Sequence, residues 1–408
     1  MYETDDSQKR INAEADRLAT SFDHLDPALD KDVLERVFGR LLEGGPVAKT
    51  SAHGGFAVVT RYADLVEVEK DLQLFSSAQG VVHPPHAGRP LSIPIEFDGA
   101  EHLAYRKLFM EILSAPRVRR IEPYLRDLVR RVLDAYAAGT DDNFVQHVAV
   151  QIPVRAVGHL LGFGESGNER LQAFAAAVLE EAGTPAMVAA MRELDALTAA
   201  HLKERRDQPR GDYLTTLVET DFGGRPLTEE ELLNIVRSFV FAGFETTSRA
   251  AASLVHHLVA HSEIQDRLRS DPDAIEAILD EGLRLFPPVQ TMFRTVTAPT
   301  TLADTPLSEG ERLVLLYGAA NRDPEQFDDP QKFWPDRPNR RQHVAFGVGA
   351  HYCAGAPLAR AEIRILLEEL SARPRLELAG EPRFSPHLMM GQMMGVDYLP
   401  LRFQGEQP

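Results

Sequence analysis

The longest helical pattern in the sequence extends from Thr228 to about His261. Thr228 and Glu231 have the spacing of a capping box, in which each side chain satisfies a backbone N–H group at the start of a helix. About 33 residues, at roughly 1.5 Å per residue, span on the order of 50 Å, which is the width of a whole domain. The segment SFVFAGFE in the middle is apolar on nearly every face, so the pattern predicts a buried central helix.

The rest of the sequence predicts a mainly α protein with a minor β part. Apolar residues recur at helical spacing in four further segments: 101–138, 168–204, 271–287 and 357–370. Short apolar or alternating runs predict strands at 56–60, 293–297, 313–317 and 396–403. Residues 80–100 are rich in Pro, Gly and His, which predicts a long loop. Strands and helices do not alternate, so a doubly wound sheet is not expected.

Composition excludes several classes of protein. The 408 residues carry 44 Lys+Arg against 61 Asp+Glu, which gives a net charge of −17 and argues against wholesale binding to nucleic acid or to anionic membranes. The N-terminus is polar, and no run reaches the roughly 18 to 20 apolar residues of a spanning helix. We therefore expect a cytoplasmic protein with neither nucleic-acid nor membrane partners.

The single cysteine lies in a glycine-rich segment, Phe346-Gly-Val-Gly-Ala-His-Tyr-Cys353-Ala-Gly355. One cysteine excludes an intrachain disulfide and a four-cysteine zinc site. Because a helix is predicted directly after the segment, free N–H groups and the helix dipole are expected to lower the pKa of the Cys353 thiol. The residues alone leave three roles open for this cysteine: a buried structural residue, a ligand of a soft metal, or a nucleophile beside His351.

This segment resembles the haem-ligand signature of the cytochromes P450, F-x-x-G-x-[HR]-x-C-x-G. The matching residues are Phe346, Gly349, His351, Cys353 and Gly355. The glycine at position 347 also resembles the sequence of soluble bacterial members at this point of the signature. The resemblance implies that Cys353 is the thiolate ligand of the iron of haem b, toward which it pushes electron density. Phe346, Gly347 and Gly355 would shield and tune the sulfur.

The resemblance covers almost the whole chain. It implies the cytochrome P450 fold, with the long central helix over the haem, in a single domain over residues 1–408. We expect residues 1–20 to be a loosely ordered segment of that domain.

A second match lies inside the long helix, at Ala242-Gly243-Phe-Glu245-Thr246-Thr. By themselves, a glycine and a threonine within a helix predict a local kink, and a glutamate in an apolar stretch is costly if it is buried without a partner. Gly243 would leave room for a flat group or a diatomic molecule. The segment resembles the family's oxygen-activation motif, [AG]-G-x-[DE]-T-[TS]. The resemblance implies that Thr246 hydrogen-bonds to dioxygen and that Glu245 helps to deliver protons.

The resemblance also assigns two sets of charged residues. Glu281 and Arg284 match the family's E-x-x-R motif, and we expect Arg337 to join them in a structural triad, since buried charges persist only when paired. Arginine and histidine side chains suit the two haem propionates, and four positions match: His102, Arg106, Arg294 and His351. Without the resemblance, each arginine would be expected on the solvated surface.

At the positions where the family contacts its substrates, the side chains are apolar: Val82, Phe241, Phe244, Val289, Met292 and Met389. They indicate an apolar small-molecule substrate, although each residue could equally belong to the core. No flavin or nicotinamide domain is present, so the resemblance implies that a ferredoxin and a ferredoxin reductase supply electrons.

The implied function is insertion of one atom of dioxygen into the substrate, with hydroxylation as the default outcome. Two alternatives stay open: a peroxygenase that uses hydrogen peroxide, and a non-catalytic haem-binding sensor. The pair Glu245 and Thr246 disfavours both.

Overall fold

The computed structural model describes residues 5–85, 88–139, 141–180, 184–384 and 393–405. The α-helices in these residues are α1 Asp5–Thr20, α2 Lys31–Gly44, α3 Tyr62–Lys70, α4 Gly99–Leu113, α5 Ala115–Ala137, α6 Gln151–Leu161, α7 Gly164–Glu180, α8 Pro185–Asp207, α9 Tyr213–Glu219, α10 Glu229–Ala260, α11 Ser262–Ser270, α12 Ala274–Leu285, α13 Tyr317–Ala320 and α14 Ala356–Ser371. The strands are β1 Val47–Thr50, β2 Phe56–Val59, β3 Phe75–Ser76, β4 Thr291–Val296, β5 Thr300–Leu302, β6 Thr305–Leu307, β7 Arg312–Leu316, β8 Leu376–Leu378, β9 Arg383–Phe384, β10 Val396–Tyr398 and β11 Leu401–Phe403. The prediction of a mainly α protein with a minor β part is confirmed.

The predicted central helix is α10, which begins after Thr228 and ends before His261. The capping box forms as expected: the Glu231 N–H donates to Thr228 Oγ1 over 3.2 Å, and the Thr228 N–H donates to Glu231 Oε2 over 2.7 Å. The helix packs against α6, α7, α8, α11, α12 and α14. Burial on several sides explains why its sequence is apolar all round.

The helix predicted over 101–138 is two helices, α4 and α5. Ser114 separates them with an extended backbone at ψ 148°, and Pro116 lies in the first turn of α5. Proline is favoured at a helix start, where its missing N–H group leaves no hydrogen bond unmade. Helical spacing continues across the break, so periodicity alone did not reveal it.

Residues Asp5–Thr20 differ from the loosely ordered segment that we expected. They form α1, which packs against α2, and Ala15 and Leu18 are completely buried. The expectation is wrong for this stretch because its few apolar residues, among them Ile11, Ala15 and Leu18, lie on one helix face and join a local core with Val37 and Phe38.

The main sheet has the strand order β1-β2-β7-β4-β3, in which β2 and β7 are parallel and the other neighbours are antiparallel. Side chains alternate between the two faces of each strand. Phe56 and Val58 therefore join the core formed with α1 and α2, whereas Ala57 and Val59 join a second core on the other face. A third and larger core surrounds α10.

Across the described stretches of the chain, no helix combines the length and the apolar composition needed to cross a bilayer.

Candidate functional site

The cysteine segment is a tight loop in front of α14. The Cys353 N–H donates to the Phe346 carbonyl oxygen over 2.8 Å and closes the loop. Gly347 and Gly349 have positive φ values of 64° and 70°. A Cβ at Gly349 would also lie 2.7 Å from the backbone oxygen of Glu69, so this position requires glycine for close packing as well as for its backbone conformation.

Cys353 is accessible to solvent, yet protein atoms surround its sulfur. Burial raises the pKa of the thiol, while the backbone N–H groups of Gly355 and Ala356 and the charge of Arg106 act in the opposite direction. The expected lowering of this pKa is therefore wrong for the chain by itself, because burial outweighs the helix N-terminus.

Glu69 of α3 is a buried carboxylate that the sequence interpretation missed. It accepts hydrogen bonds from the Val348 N–H over 2.7 Å, from the Tyr317 hydroxyl over 2.6 Å and from Arg294 Nη2 over 3.3 Å. Glu69 therefore holds the cysteine loop at Val348 and keeps Arg294 beside this loop. The available signal was its position at i+4 from Leu65, on the apolar face of α3.

The other three predicted propionate residues lie in this loop or beside it. Arg106 Nη2 donates to the Tyr352 carbonyl oxygen over 2.6 Å. His102 Nε2 lies 3.1 Å from the Ala350 carbonyl oxygen, and its ring centroid lies 4.1 Å from that of His351. The structure thus brings together residues from α4 and from the loop before α14.

The arrangement fits a bound haem. Two buried nitrogen atoms, His351 Nδ1 and Arg294 Nε, have no hydrogen-bond partner among the residues that the structure describes. Carboxylates are the groups that such nitrogens bind well. Together with Cys353, these residues could hold an iron macrocycle through one thiolate and two propionates.

In the middle of α10, Thr246 Oγ1 donates to the Ala242 carbonyl oxygen over 2.9 Å. Ala242 is exposed although Val240 and Phe244 on either side are buried, so α10 has one open patch within a buried helix. Glycine is needed at position 243 for a different reason from the one we expected, because a Cβ there would lie 2.6 Å from Cγ2 of Val157. The glycine makes room for α6.

Glu245 is 1% exposed and lies in a buried charge network with Arg249. Arg249 Nε donates to Glu245 Oε1 over 3.3 Å, and its Nη1 donates to Asp397 Oδ1 over 3.1 Å. Burial raises the pKa of Glu245, and Arg249 opposes that rise. Sequence reasoning missed Arg249, although its position at i+4 from Glu245 was a usable signal. A Cβ at Gly395 would lie 2.9 Å from Cβ of Arg249, so that glycine makes space for the arginine.

The structure also brings together Glu281, Arg284 and Arg337, all at most 1% exposed. Arg284 makes a two-pronged contact of 2.8 Å on each side with the Glu281 carboxylate, and Arg337 Nε lies 3.4 Å from Glu281 Oε1. Backbone carbonyl groups of Asn321 and Pro330 accept the two protons of Arg284 Nη1. Every charge in this cluster is therefore paired, as buried charges require.

The predicted substrate residues have different surroundings. Phe241, Val289 and Met292 are partly buried, and Val82 is buried. Phe244 is 1% exposed and packs against Phe174 of α7, with ring centroids 6.2 Å apart. It lies on the opposite side of α10 from Thr246, because two positions on a helix are separated by about 200°, so Phe244 is a core residue.

Met389 lies outside the described residues.

Comparisons with known proteins agree with this geometry. A family model described as Cytochrome P450 matches residues 184–393. Erythromycin C-12 hydroxylase of Saccharopolyspora erythraea is 33% identical over 363 residues, covering 87% of this chain and 90% of that protein. Steroid C26-monooxygenase of Mycolicibacterium smegmatis is 30% identical, covering 80% of this chain and 82% of that protein. The structure of Mycobacterium marinum cytochrome P450 CYP268A2 in complex with pseudoionone matches with a TM-score of 0.87 and 26% identity, covering 94% of this chain and 98% of the other.

The family model spans both α10 and the cysteine loop, and the relatives align over most of their own length. The resemblance inferred from the cysteine segment is confirmed, and haem is the cofactor that this family uses in general. The chain belongs to the cytochrome P450 family and is a monooxygenase.

Proposed function

We propose that this enzyme hydroxylates an apolar small molecule at haem b, with Cys353 as the thiolate ligand of the iron. The observation that carries the proposal is the cysteine loop, in which Cys353 is an exposed residue whose sulfur accepts hydrogen bonds from the backbone N–H groups of Gly355 and Ala356. Haem, when bound, supplies the redox chemistry that activates dioxygen. The overall reaction consumes substrate, dioxygen, two electrons and two protons, and it yields the hydroxylated product and water.

The protein's own residues hold the cofactor and move protons. His102, Arg106, Arg294 and His351 would bind the propionates, supported by the buried nitrogen atoms of Arg294 and His351 that lack partners in the described chain. Phe346, Gly347 and Gly355 would shape the surroundings of the sulfur. Glu281, Arg284 and Arg337 would keep the segment before the loop in place.

Glu245 and Thr246 would deliver protons to dioxygen. The Thr246 hydroxyl donates to the carbonyl oxygen of Ala242, the exposed residue one turn earlier in α10, so it lies at the open patch of this helix. Glu245 holds a proton more readily than an ordinary carboxylic acid because burial raises its pKa. Arg249 would keep this acid oriented between rounds of proton transfer.

The substrate is proposed to be apolar, on the support of partly buried Phe241, Val289 and Met292, of Val82 and of the predicted Met389. The names of the relatives specify erythromycin and steroid, and we assign neither to this chain. We also propose that residues 1–408 act as one domain, because α10 packs against six other helices drawn from much of the chain. A cytoplasmic location remains a prediction.

We propose a ferredoxin and its reductase as electron donors. A surface depression of about 550 Å³ lies between α4 and α5, lined by Leu103, Arg106, Lys107, Met110, Glu111, Ser114 and Arg117. Its three cations and two apolar side chains suit an acidic protein partner. Arg106 also contacts the cysteine loop, so the depression lies close to the proposed cofactor.

Turnover with the two kinds of oxidant tests the proposal. A substrate found by ligand screening should be hydroxylated with ferredoxin, reductase, NAD(P)H and dioxygen, and hydrogen peroxide alone should give much less product. Thr246→Ala should consume electrons without matching product, whereas Thr246→Ser, which keeps the hydroxyl, should restore coupling. Equal turnover with peroxide would favour the peroxygenase, and binding without turnover under either condition would favour the sensor.

A further inference from the structure

A cluster of polar side chains lies where three segments of the N-terminal half meet. Asp23 and His24 follow α1, His53 lies in the turn between β1 and β2, and His83 lies in the loop after β3. We call these four residues the histidine cluster. They lie on the α1–α2 side of the main sheet, and the proposed haem site does not use them.

The histidine cluster contains three potential metal ligands close together. One nitrogen of His24, one nitrogen of His53 and a carboxylate oxygen of Asp23 all lie within 4.8 Å of one another. His53 Nε2 is already 2.8 Å from Asp23 Oδ1. In a tetrahedral zinc site with bonds of about 2.0–2.1 Å, neighbouring ligand atoms are roughly 3.4 Å apart. A small side-chain rotation would reach that spacing, and the His53 side chain, 28% exposed in a turn, has room to rotate.

His24 supplies a second and independent observation. It is 1% exposed, and its Nε2 lies 2.6 Å from the His83 carbonyl oxygen. Its Nδ1 is buried and has no hydrogen-bond partner within the described part of the chain. Metal-binding histidines usually donate their other ring N–H to a carbonyl or carboxylate, which fixes the tautomer and leaves the lone pair for the metal. His24 has this arrangement.

The surroundings of His24 are apolar. Phe56 and Phe293 pack against His24, with ring centroids 5.5 and 4.9 Å away, and form an apolar wall. Simple aromatic packing accounts for the ring contacts, but it leaves the buried Nδ1 atom without a function.

We propose that Asp23, His24 and His53 bind one divalent transition-metal ion, with zinc as the best chemical match and water completing the coordination. Two imidazoles and a carboxylate are ligands that zinc accepts, and the partly exposed Asp23 and His53 give the ion a path from solvent. His83 would orient the site without binding the metal, because its carbonyl holds His24 and its Nε2 lies 3.1 Å from the His53 carbonyl oxygen.

Occupancy would tie the turn between β1 and β2 to the segment after α1, and through His83 it would steady the loop after β3. Val82, a proposed substrate residue, precedes His83 in that loop. Zinc should therefore change ligand affinity at the haem site indirectly. The metal site itself does not depend on the proposed function.

Zinc titration of the chelator-treated holoenzyme tests the proposal. Isothermal titration calorimetry with zinc chloride should show one saturable site per chain, and His53→Ala should weaken it at least tenfold. His147→Ala is the matched control, because His147 Nε2 lies 3.0 Å from Asp141 in a similar exposed pair elsewhere. This variant should bind zinc at the same site with unchanged affinity. No saturable binding below millimolar zinc, or equal affinity in His53→Ala, would overturn the proposal.

A spectroscopic readout identifies the ligands directly. Zinc K-edge X-ray absorption is blind to haem iron and should show ligands at about 2.0–2.1 Å with scattering from two imidazole rings. Scattering from oxygen ligands alone would contradict the assignment. Zinc should also raise the unfolding temperature of the wild type and of His147→Ala but not that of His53→Ala. An equal rise in His53→Ala would count against the site.

Discussion

Arg249 lies between two carboxylates, Glu245 on its own helix and Asp397 on β10. The charge of Glu245, the proposed proton-delivery acid, is therefore balanced by Arg249, whose side chain is 2% exposed. Removing one partner of a buried ion pair is strongly destabilising, because the other charge is left without compensation. The acid of the proposed mechanism thus depends on a residue outside the recognised motif.

Arg249→Met should lower the free energy of unfolding by about 3 kcal/mol, since it leaves the buried carboxylate of Glu245 without its cation, beside Asp397, whose side chain is 38% exposed. Arg131→Met is the control: Arg131 also has an acidic partner four residues earlier, Asp127, but these side chains are 64% and 61% exposed, so this variant should lose only about 1 kcal/mol or less. Chemical denaturation of the holoenzymes measures both. Equal and small losses would show that the Arg249 network is not important for stability.

At the scale of single elements, the sequence predicted α10 well because its signals are local. The capping box, the apolar middle and the helical length can all be read from consecutive residues, and Thr228 and Glu231 pair as expected. The break between α4 and α5 was not predicted, because apolar residues keep their helical spacing across Ser114 although the backbone of this residue is extended.

The role of Gly243 could not be predicted for a different reason. Glycine is required at position 243 because of Val157 on α6, which lies more than eighty residues earlier in the chain, and no local pattern encodes that contact. Glu69 is a similar case, because its partners Tyr317, Arg294 and Val348 all belong to distant segments. Motif residues could be identified from the sequence, but the long-range contacts of the residues that support them could not.

Gly243→Ala should destabilise the protein even though alanine favours helix by about 1 kcal/mol. The added Cβ would lie 2.6 Å from Cγ2 of Val157, and overpacking of this kind typically costs about 1–3 kcal/mol. The double variant Gly243→Ala/Val157→Ala should recover part of the loss, because it removes the clash. Denaturant unfolding of the wild type, of both single variants and of the double variant measures this coupling, and an additive effect of the two substitutions would contradict it.

On the scale of the whole molecule, the net charge of −17 conceals a local basic surface. Arg360 and Arg364 do not contribute freely to it, because both are paired with acidic residues such as Asp280 and Glu276. Within the described residues, Lys107 and Arg117 have no ion pair, and both line the depression between α4 and α5. Total charge therefore says little about where an acidic electron donor would bind.

Lys107→Glu should slow reduction by a ferredoxin at low salt, and the difference from the wild type should shrink as salt screens the charges. Lys203→Glu makes the same change in net charge at an exposed position of α8, and this variant should be reduced at the wild-type rate. Stopped-flow reduction at several ionic strengths measures both variants. Equally slow reduction of the two variants would show that ferredoxin does not bind at the depression between α4 and α5.

The fold class and the family were accessible from the sequence because a few close-set residues specify them. The long-range arrangement was not, and α1 illustrates this: we expected a loosely ordered segment there, while one narrow apolar face packs on α2. Contacts between distant segments decide such cases, and a single sequence does not display them.

The central claim is that Cys353 provides the thiolate ligand of the haem iron. The absorption spectrum of the reduced carbon monoxide complex tests it most directly, with Cys353→His as the variant that keeps an iron ligand of a different kind. The wild type should show the red-shifted band of thiolate-ligated haem, and Cys353→His should bind haem but lose that band. A wild type without the red-shifted band, or a Cys353→His variant that retains it, would contradict the assignment.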